Sequence, residues 1–172
     1  MTRVALIGNA AGGKSTLARR LAAATQLALH HVDRLQYAPD WTVRPEADVT
    51  RALDEAASAD RWVIDGWGPW PTIERRFARA DTLIWIDHPL WVHFWWAAER
   101  QIAIAQGEAG ARSDGPPDPE PLSRTRQLFE TIWGVDRLRP RLAELIDRHR
   151  QGRAVHHLRS PEELDRFAAT FA

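Results

Sequence analysis

The sequence contains no cysteine, and only one of its 23 basic residues is a lysine. Without cysteine the chain can form neither a disulfide bond nor a thiolate metal site. Its richest apolar stretch, residues 90–98, is far too short to span a membrane, and the apolar start of the chain is too short for a signal peptide. We therefore expect a cytoplasmic protein with no membrane partner.

The chain also lacks an excess of charge of either sign. Acidic and basic residues balance at 23 each, so the formal net charge is zero. A surface that neutralises many phosphates needs excess positive charge, so nucleic acid is not an expected partner. The composition, 44% hydrophobic and 27% charged, is typical of a soluble globular protein. Its 172 residues fit one domain, over residues 1–172, and do not distinguish a monomer from a homodimer.

Five short apolar runs alternate with segments in which apolar residues recur at helical spacing. The runs predict strands over residues 3–8, 27–32, 61–65, 82–87 and 153–158. Helices are predicted over residues 14–24, 46–57, 123–134 and 139–150, along the segment from Trp91 to Ile102, and after Ser160. This alternation predicts an α/β fold of three layers, with a five-stranded parallel sheet covered by helices on both faces.

The first predicted strand leads into a segment that satisfies the G-x-x-x-x-G-K-[ST] pattern. We call residues 8–16 the phosphate loop: Gly8, Asn9, Ala10, Ala11, Gly12, Gly13, Lys14, Ser15 and Thr16. Its glycines allow backbone N–H groups to turn toward phosphate, and the following helix directs its N-terminal N–H groups to the same anion. We expect Lys14 to bridge the β- and γ-phosphates of ATP, Ser15 to bind Mg²⁺, and Thr16 to lie near the α-phosphate. The only lysine lies where a compact ammonium suits the loop better than a guanidinium.

Three aspartates, Asp33, Asp65 and Asp87, come at the ends of predicted strands. The carboxyl ends of parallel strands share one edge of a sheet, where ligands bind. Phosphoryl transfer depends mainly on positioning and on neutralised charge. We predict that Asp33 contacts the acceptor or acts as a base, and that Asp65 assists the metal. Asp87 is a third candidate, although an aspartate at this position more often caps a turn.

Residues 107–121 are rich in glycine and proline and predict a long loop. Arginines lie in or beside this segment: Arg100, Arg112, Arg124 and Arg126. We predict a lid over about residues 100–126 that excludes water and delivers these arginines to the phosphates. The alternative is a solvated surface with arginines on helix faces. Three further arginines are interpreted as a solvated stripe, in which the first could reach the phosphates: Arg137, Arg139 and Arg141.

Aromatic residues are the other notable feature, with nine tryptophans. The spacing of Trp85, Trp91 and Trp95 predicts that they lie in the core. Four others are near Asp33 or Asp65 and could stack on a flat acceptor or pack within the acceptor region: Tyr37, Trp41, Trp67 and Trp70. The seven histidines show no ligand spacing on a shared face, so no zinc site is predicted.

Several segments together resemble the adenylate-kinase-like proteins, in particular the subgroup labelled DNA-topology-modulation proteins. They are the phosphate loop, residues 31–35 with Tyr37 and Trp41, and residues 62–66, 81–87 and 137–140. The resemblance implies an acceptor-binding insertion after the second strand, over about residues 34–60, and a lid after the fourth. It also implies that Asp33 lies beside the acceptor, that Asp65 holds Mg²⁺ through water, and that Arg100 leads into the lid. The chain departs from the subgroup after Asp65, where Trp67 replaces the usual asparagine of Asp-Gly-Asn-Tyr.

The main functional hypothesis is transfer of the γ-phosphoryl group of Mg·ATP to a nucleoside monophosphate or related nucleotide. The acceptor would contact Asp33, Arg34, Tyr37, Trp41, Arg44, Gly66 and Trp67. A first alternative keeps the fold but takes a small alcohol, as shikimate, gluconate or antibiotic kinases do, and needs chiefly Asp33 as base. Arg34, Arg44 and Arg51 favour a phosphate-bearing acceptor instead. A second alternative is an ATP-binding regulatory or nucleic-acid-associated protein with little turnover.

Overall fold

The computed structural model describes residues 1–108 and 121–171. Its strands are β1 (Arg3–Gly8), β2 (Ala28–His31), β3 (Trp62–Asp65), β4 (Thr82–Ile86) and β5 (Ala154–Leu158). Its helices are α1 (Lys14–Thr25), α2 (Val32–Gln36), α3 (Glu46–Ser58), α4 (Trp70–Arg79), α5 (Leu90–Ala105), α6 (Thr125–Asp136), α7 (Arg139–His149) and α8 (Pro161–Ala169). A 3₁₀ turn (Pro121–Arg124) precedes α6. No helix in these ranges is long and apolar enough to cross a membrane.

The strands form one parallel sheet in the order β2-β3-β1-β4-β5. This confirms the predicted α/β fold. The register places His31 of β2 opposite Asp65 of β3, and Gly8 of β1 opposite Ile86 of β4. The carboxyl ends of the strands therefore lie side by side, and the phosphate loop begins at the centre of that edge.

Apolar side chains cover both faces of the sheet, because successive residues of a strand point to opposite sides. Ala5 and Ile7 of β1 belong to one buried cluster, which also contains residues of α3, α4 and α7. Val4 and Leu6 belong to a second cluster, with residues of α1 and α8. The result is the predicted arrangement of three layers.

One helix was not predicted, and one helix face was predicted wrongly. No element was predicted over residues 70–79, where α4 forms with Pro69 just before it and Pro71 in its first turn. On α5 the face was misassigned: the side chains of Trp91 and Trp95 are 68% and 60% exposed, and the buried residues are Val92, His93 and Ala97. Trp85 is buried, as predicted.

Candidate active site

The phosphate loop connects β1 to α1 with a backbone that only glycine adopts easily. Gly13, which precedes α1, has a φ of 79°, and no described side chain caps the first N–H groups of the helix. A Cβ atom on Gly12 would lie 2.8 Å from Cε1 of His93. The glycines therefore permit the tight turn, and the first turn of α1 keeps its N–H donors available to an anion.

Lys14 lies beside both of the aspartates that the sequence assigned to the site. Its Nζ atom donates a hydrogen bond to the carbonyl oxygen of Asn9 at 2.7 Å. Burial lowers the pKa of Lys14, while the charges of Asp65 and Asp33 raise it. Lys14, Asp33 and Asp65 are thus brought together. The ammonium group of Lys14 is hydrogen-bonded to a backbone carbonyl, and a phosphate could replace that carbonyl as its partner.

The loop is supported by three side chains whose contacts sequence reasoning did not find. The indole Nε1 of Trp67 donates to the carbonyl oxygen of Gly8 at 2.7 Å, and Nδ2 of Asn9 donates to that of Ile132 at 2.8 Å. Nδ1 of His93 lies 2.9 Å from the carbonyl oxygen of Ala10. Because a carbonyl only accepts, this nitrogen carries the ring proton. Contacts with three distant parts of the chain, at Trp67, His93 and Ile132, therefore fix the first residues of the loop.

Asp65 and Asp33 form the acidic side of the site. His31 Nδ1 lies 3.0 Å from Oδ2 of Asp65, whereas Oδ1 of Asp65 is buried and has no hydrogen-bond partner among the described residues. Asp33 is an exposed residue, yet the protein around its carboxyl group raises its pKa, and the charge of Lys14 opposes that shift. A buried carboxylate oxygen without a partner is uncommon, and this one belongs to Asp65, whose charge acts on Lys14.

The predicted lid arginines separate into two groups. Burial lowers the pKa of Arg100, and the charge of Asp33 raises it, so Arg100 reaches the acidic side of the site. The guanidinium of Arg124 lies 4.7 Å from the ring centroid of Trp41. Arg126, by contrast, is 91% exposed and pairs with Glu130 at 2.8 Å, so the structure does not bring it to the site. Arg112 lies outside the described residues.

The acceptor residues predicted after β2 are also divided. The rings of Tyr37 and Trp41 are in contact, with centroids 5.3 Å apart. Burial and the charge of Asp33 raise the pKa of Tyr37, and the charge of Arg124 lowers it. The structure therefore brings Tyr37 and Trp41 together beside Asp33. Arg34 and Arg44 lie on the exposed surface.

The segment after Asp65 is directed toward the phosphate loop. Gly66 adopts a φ of 121°. The rings of Trp67 and Trp70 pack together with centroids 6.1 Å apart, and the indole N–H of Trp67 donates to the carbonyl oxygen of Gly8. The guanidinium of Arg141 lies 3.9 Å above the ring of Trp70. These two indoles are therefore occupied by protein contacts.

Asp87 is bound by two side chains at the edge of a pocket of about 270 Å³, which His88, Asp136 and Arg159 also line. Its carboxylate accepts from Nε and Nη2 of Arg139 at 2.6 and 2.9 Å, and Nε2 of His157 lies 2.7 Å away. The ring of His157 stacks on Trp85 with a centroid distance of 4.1 Å. Arg139 and Arg141 are exposed, as the predicted solvated stripe requires, and each also contacts a specific partner.

The residues present fit a magnesium ion held mainly by nucleotide phosphates. The described residues contain no group of three or more His, Asp or Glu side chains that could hold a metal alone. Ser15 at the start of α1 and the unpartnered oxygen of Asp65 are the protein ligands available, the latter through water. Mg²⁺ commonly keeps several waters and uses few protein ligands in phosphate sites, so this small set suffices.

No protein-family model matches the chain, and no curated protein matches it. Solved structures do. The shikimate kinase of Acinetobacter baumannii, in complex with shikimate, is 13% identical with a TM-score of 0.60, covering 99% of this chain and 90% of that one. The shikimate kinase of Bacteroides thetaiotaomicron is 19% identical with a TM-score of 0.53, covering 98% and 95%. That of Aquifex aeolicus is 16% identical with a TM-score of 0.50, covering 98% and 95%. At these identities the likeness establishes the fold, which is that of P-loop kinases.

Proposed function

We propose that this chain is an ATP-dependent phosphotransferase that moves the γ-phosphoryl group of Mg·ATP to a hydroxyl group of a small acceptor. The main observation behind the proposal is that Lys14, in the phosphate loop, lies close enough to Asp33 and Asp65 for their charges to act on it. ATP would bind to residues 8–16, with Mg²⁺ at Ser15 and, through water, at Asp65. The ion would neutralise charge on the phosphates.

Asp33 is the proposed base. Its raised pKa, caused by the surrounding protein, makes it a better proton acceptor than an ordinary aspartate. The acceptor hydroxyl would transfer its proton to Asp33, its oxygen would form a bond to the γ-phosphorus, and the bond from that phosphorus to the β,γ-bridging oxygen would break. Lys14 would exchange the carbonyl of Asn9 for the phosphates, and Arg100 would offset their charge.

We favour a small alcohol over a nucleoside monophosphate as the acceptor. A phosphate-bearing acceptor needs arginines directed into the site from the insertion, but the arginine whose charge acts on Lys14 and Asp33 is Arg100 of α5, and Arg51 of the insertion pairs with Asp48 at 2.7 Å. A hydroxyl acceptor needs chiefly a base, which Asp33 supplies. One of the structures of the same fold contains shikimate, a small hydroxylated acid, and this supports the same preference.

Several finer features stay predictions within this proposal. They are the acceptor insertion over about residues 34–60, in which Tyr37 and Trp41 would contact the acceptor, and the cytoplasmic location. The lid over about residues 100–126 includes residues outside the described part of the chain. The nucleoside monophosphate acceptor, the regulatory role and the resemblance to the DNA-topology-modulation subgroup remain hypotheses to be tested against the kinase proposal.

The proposal is tested by measuring ADP release from Mg·ATP with hydroxy acids, polyols, nucleosides and nucleoside monophosphates as acceptors. We expect one hydroxylated compound to stimulate release and Lys14→Ala to lose at least about a hundredfold of that activity. Arg148→Ala, at the far end of α7 in a surface pair with Glu74, is the matched control and should behave as the wild type. ATP binding without stimulation by any acceptor would refute the kinase proposal and favour the regulatory role.

Arg44→Ala then separates the two acceptor classes. With a small alcohol, the variant should keep the wild-type KM for the acceptor within about twofold, because an exposed arginine makes no buried contact. A KM that rises tenfold or more with a phosphate-bearing acceptor would instead support a nucleoside monophosphate.

A further inference from the structure

Arg76 is a buried cation for which the proposed reaction has no direct use. It lies on α4, is 2% exposed, and has no carboxylate within ion-pair distance among the described residues. Its guanidinium instead donates to backbone carbonyls: Nε to Thr72 at 3.3 Å, Nη1 to Gly66 at 3.2 Å, and Nη2 to Trp67. Burial lowers the pKa of Arg76 to about 10, so it remains charged at neutral pH.

An unpaired buried charge is expensive, and an apolar side chain of similar length would stabilise α4 at least as well. The position of the charge suggests what offsets this cost. Two of its three acceptors, Gly66 and Trp67, are the residues directly after Asp65, and Asp65 is the acidic group whose charge acts on Arg76. The guanidinium of Arg76 thus binds the backbone of the two residues that follow Asp65.

The same segment continues to the phosphate loop. While the carbonyl of Trp67 accepts from Arg76, its indole N–H donates to Gly8 at 2.7 Å. Gly66 needs its left-handed φ of 121° to make this turn, and a Cβ there would lie 2.9 Å from Cβ of Val32. One buried guanidinium therefore connects to both halves of the proposed nucleotide site, through Asp65 on one side and Trp67 on the other.

We propose that Arg76 is a positioning residue that holds Gly66 and Trp67 so that Asp65 faces Mg·ATP and Trp67 supports Gly8. This inference rests on the proposed function. A purely structural role for Arg76 would lower the stability of the protein and leave the nucleotide and metal affinities of the folded protein unchanged.

The test compares Arg76→Met and Arg76→Lys with Arg75→Met. Arg76→Met removes the charge and the hydrogen bonds, and Arg76→Lys keeps a cation that cannot reach three carbonyls. Arg75 is the adjacent residue on α4, exposed and paired with Asp54 at 2.8 Å, so its variant is the matched control. ATP dissociation constants are measured by calorimetry, with Mg²⁺ and with EDTA, at a temperature at which circular dichroism shows each variant to be folded.

We expect both Arg76 variants to bind Mg·ATP at least about tenfold more weakly, as is usual when a residue supporting a metal site is lost. In EDTA, the affinity of the Arg76 variants for ATP should fall by less than about half that factor. Arg75→Met should bind ATP as the wild type does. Hydrogen exchange of residues 65–70 without nucleotide should accelerate in the Arg76 variants only. Trp67→Phe, which keeps the ring packing but deletes the N–H, should weaken ATP about threefold to tenfold with or without Mg²⁺.

The outcomes distinguish a failure of the role inferred for Arg76 from a failure of the proposed function. If the wild type binds Mg·ATP and a folded Arg76 variant binds it within twofold of the wild type, Arg76 is structural and this inference alone is wrong. If Arg76→Met does not fold, Arg76→Lys and Trp67→Phe decide the matter, because each retains most of the local packing. If the wild type binds no Mg·ATP, the proposed function fails and the inference fails with it.

Discussion

His93 should make the folded protein sensitive to mild acid. It lies on α5, is 2% exposed, and holds the carbonyl of Ala10 in the phosphate loop. Burial lowers its pKa to about 4, an effect that the contact with Ala10 opposes and the neighbouring charges of His88 and Lys14 reinforce. The perturbation that isolates this group is His93→Asn, because the Nδ2 of asparagine can replace Nδ1 as the donor but does not titrate.

The sign and size of the effect follow from proton linkage. The folded pKa lies below the ordinary value of 6.5, so between these values the unfolded chain binds the proton and the folded chain does not. Stability is therefore present above the ordinary pKa and is lost as the pH falls toward the folded one. Between pH near 7.5 and pH near 5 the loss from His93 is about 2 kcal/mol, and a folded pKa one unit higher would still give about 1.6 kcal/mol.

The assay is urea denaturation of wild type and His93→Asn at both pH values. The substitution changes the absolute stability, so the quantity of interest is the difference in free energy of unfolding between the two pH values within each protein. We expect that difference to be about 2 kcal/mol smaller in the variant. Other buried histidines titrate in both proteins and cancel in the comparison. Equal pH dependence, within about 0.5 kcal/mol, would show that His93 is protonated in the folded protein at pH 5, and the argument from burial would be wrong.

Two further predictions concern the strand-end aspartates. Asp33→Asn should reduce acceptor-stimulated turnover by at least about a hundredfold. It should also raise the free energy of unfolding at neutral pH, because a raised pKa marks a carboxylate whose ionised form destabilises the folded state; folding is favoured as the pH falls through that pKa, and asparagine removes the cost. A variant that is inactive and less stable at pH 7 would contradict this explanation. Asp87→Asn should cost about 1–3 kcal/mol in urea denaturation, since Arg139 and His157 lose a shared buried partner, while the Mg·ATP dissociation constant stays within twofold. A tenfold weaker dissociation constant in a folded Asp87→Asn protein would mean that Asp87 belongs to the nucleotide site.

The sheet and the phosphate loop could be predicted because their determinants are local. Each strand is a short apolar run that ends in, or is directly followed by, a polar or glycine residue, and in a parallel sheet these ends must share an edge. Gly8, Asp33 and Asp65 could therefore be placed together without knowing the strand order. Lys14 followed from spacing alone, since the pattern fixes its position relative to the glycines.

Helix faces were harder to predict. The segment from Leu90 to Ala105 is apolar on most sides, so the period of 3.6 residues does not mark which side is buried, and Trp91 and Trp95 were placed in the core although they are exposed. Helix α4 was missed for the opposite reason, because few of its residues are apolar. Its sequence contains three arginines and follows a glycine- and proline-containing segment, and Ile73 and Phe77 are the apolar residues that mark its buried face.

The contacts that organise the site join residues far apart in the sequence. Asp87 and Arg139 are 52 residues apart, Trp67 and Gly8 are 59 apart, and Asn9 and Ile132 are 123 apart. No local pattern specifies such pairs. The surface position of Arg126, in contrast, could have been predicted instead of a lid role, because Glu130 lies at the i,i+4 spacing that forms surface ion pairs on a helix.

The cations of this protein also show why the phosphate loop carries its only lysine. Arg139 uses two nitrogens on one carboxylate, Arg124 lies over the ring of Trp41, and Arg76 reaches three carbonyls at once. Each of these contacts requires a broad, planar group with donors in fixed directions. Lys14 makes one short bond, to Asn9 at 2.7 Å, inside a loop whose glycines leave no space for a side chain. A compact charge on a flexible stem can leave that carbonyl for a phosphate, whereas a guanidinium would need several partners to be replaced together. The chain uses arginine at 22 of its 23 basic positions, and the remaining one is where the cation must change partners during the proposed reaction.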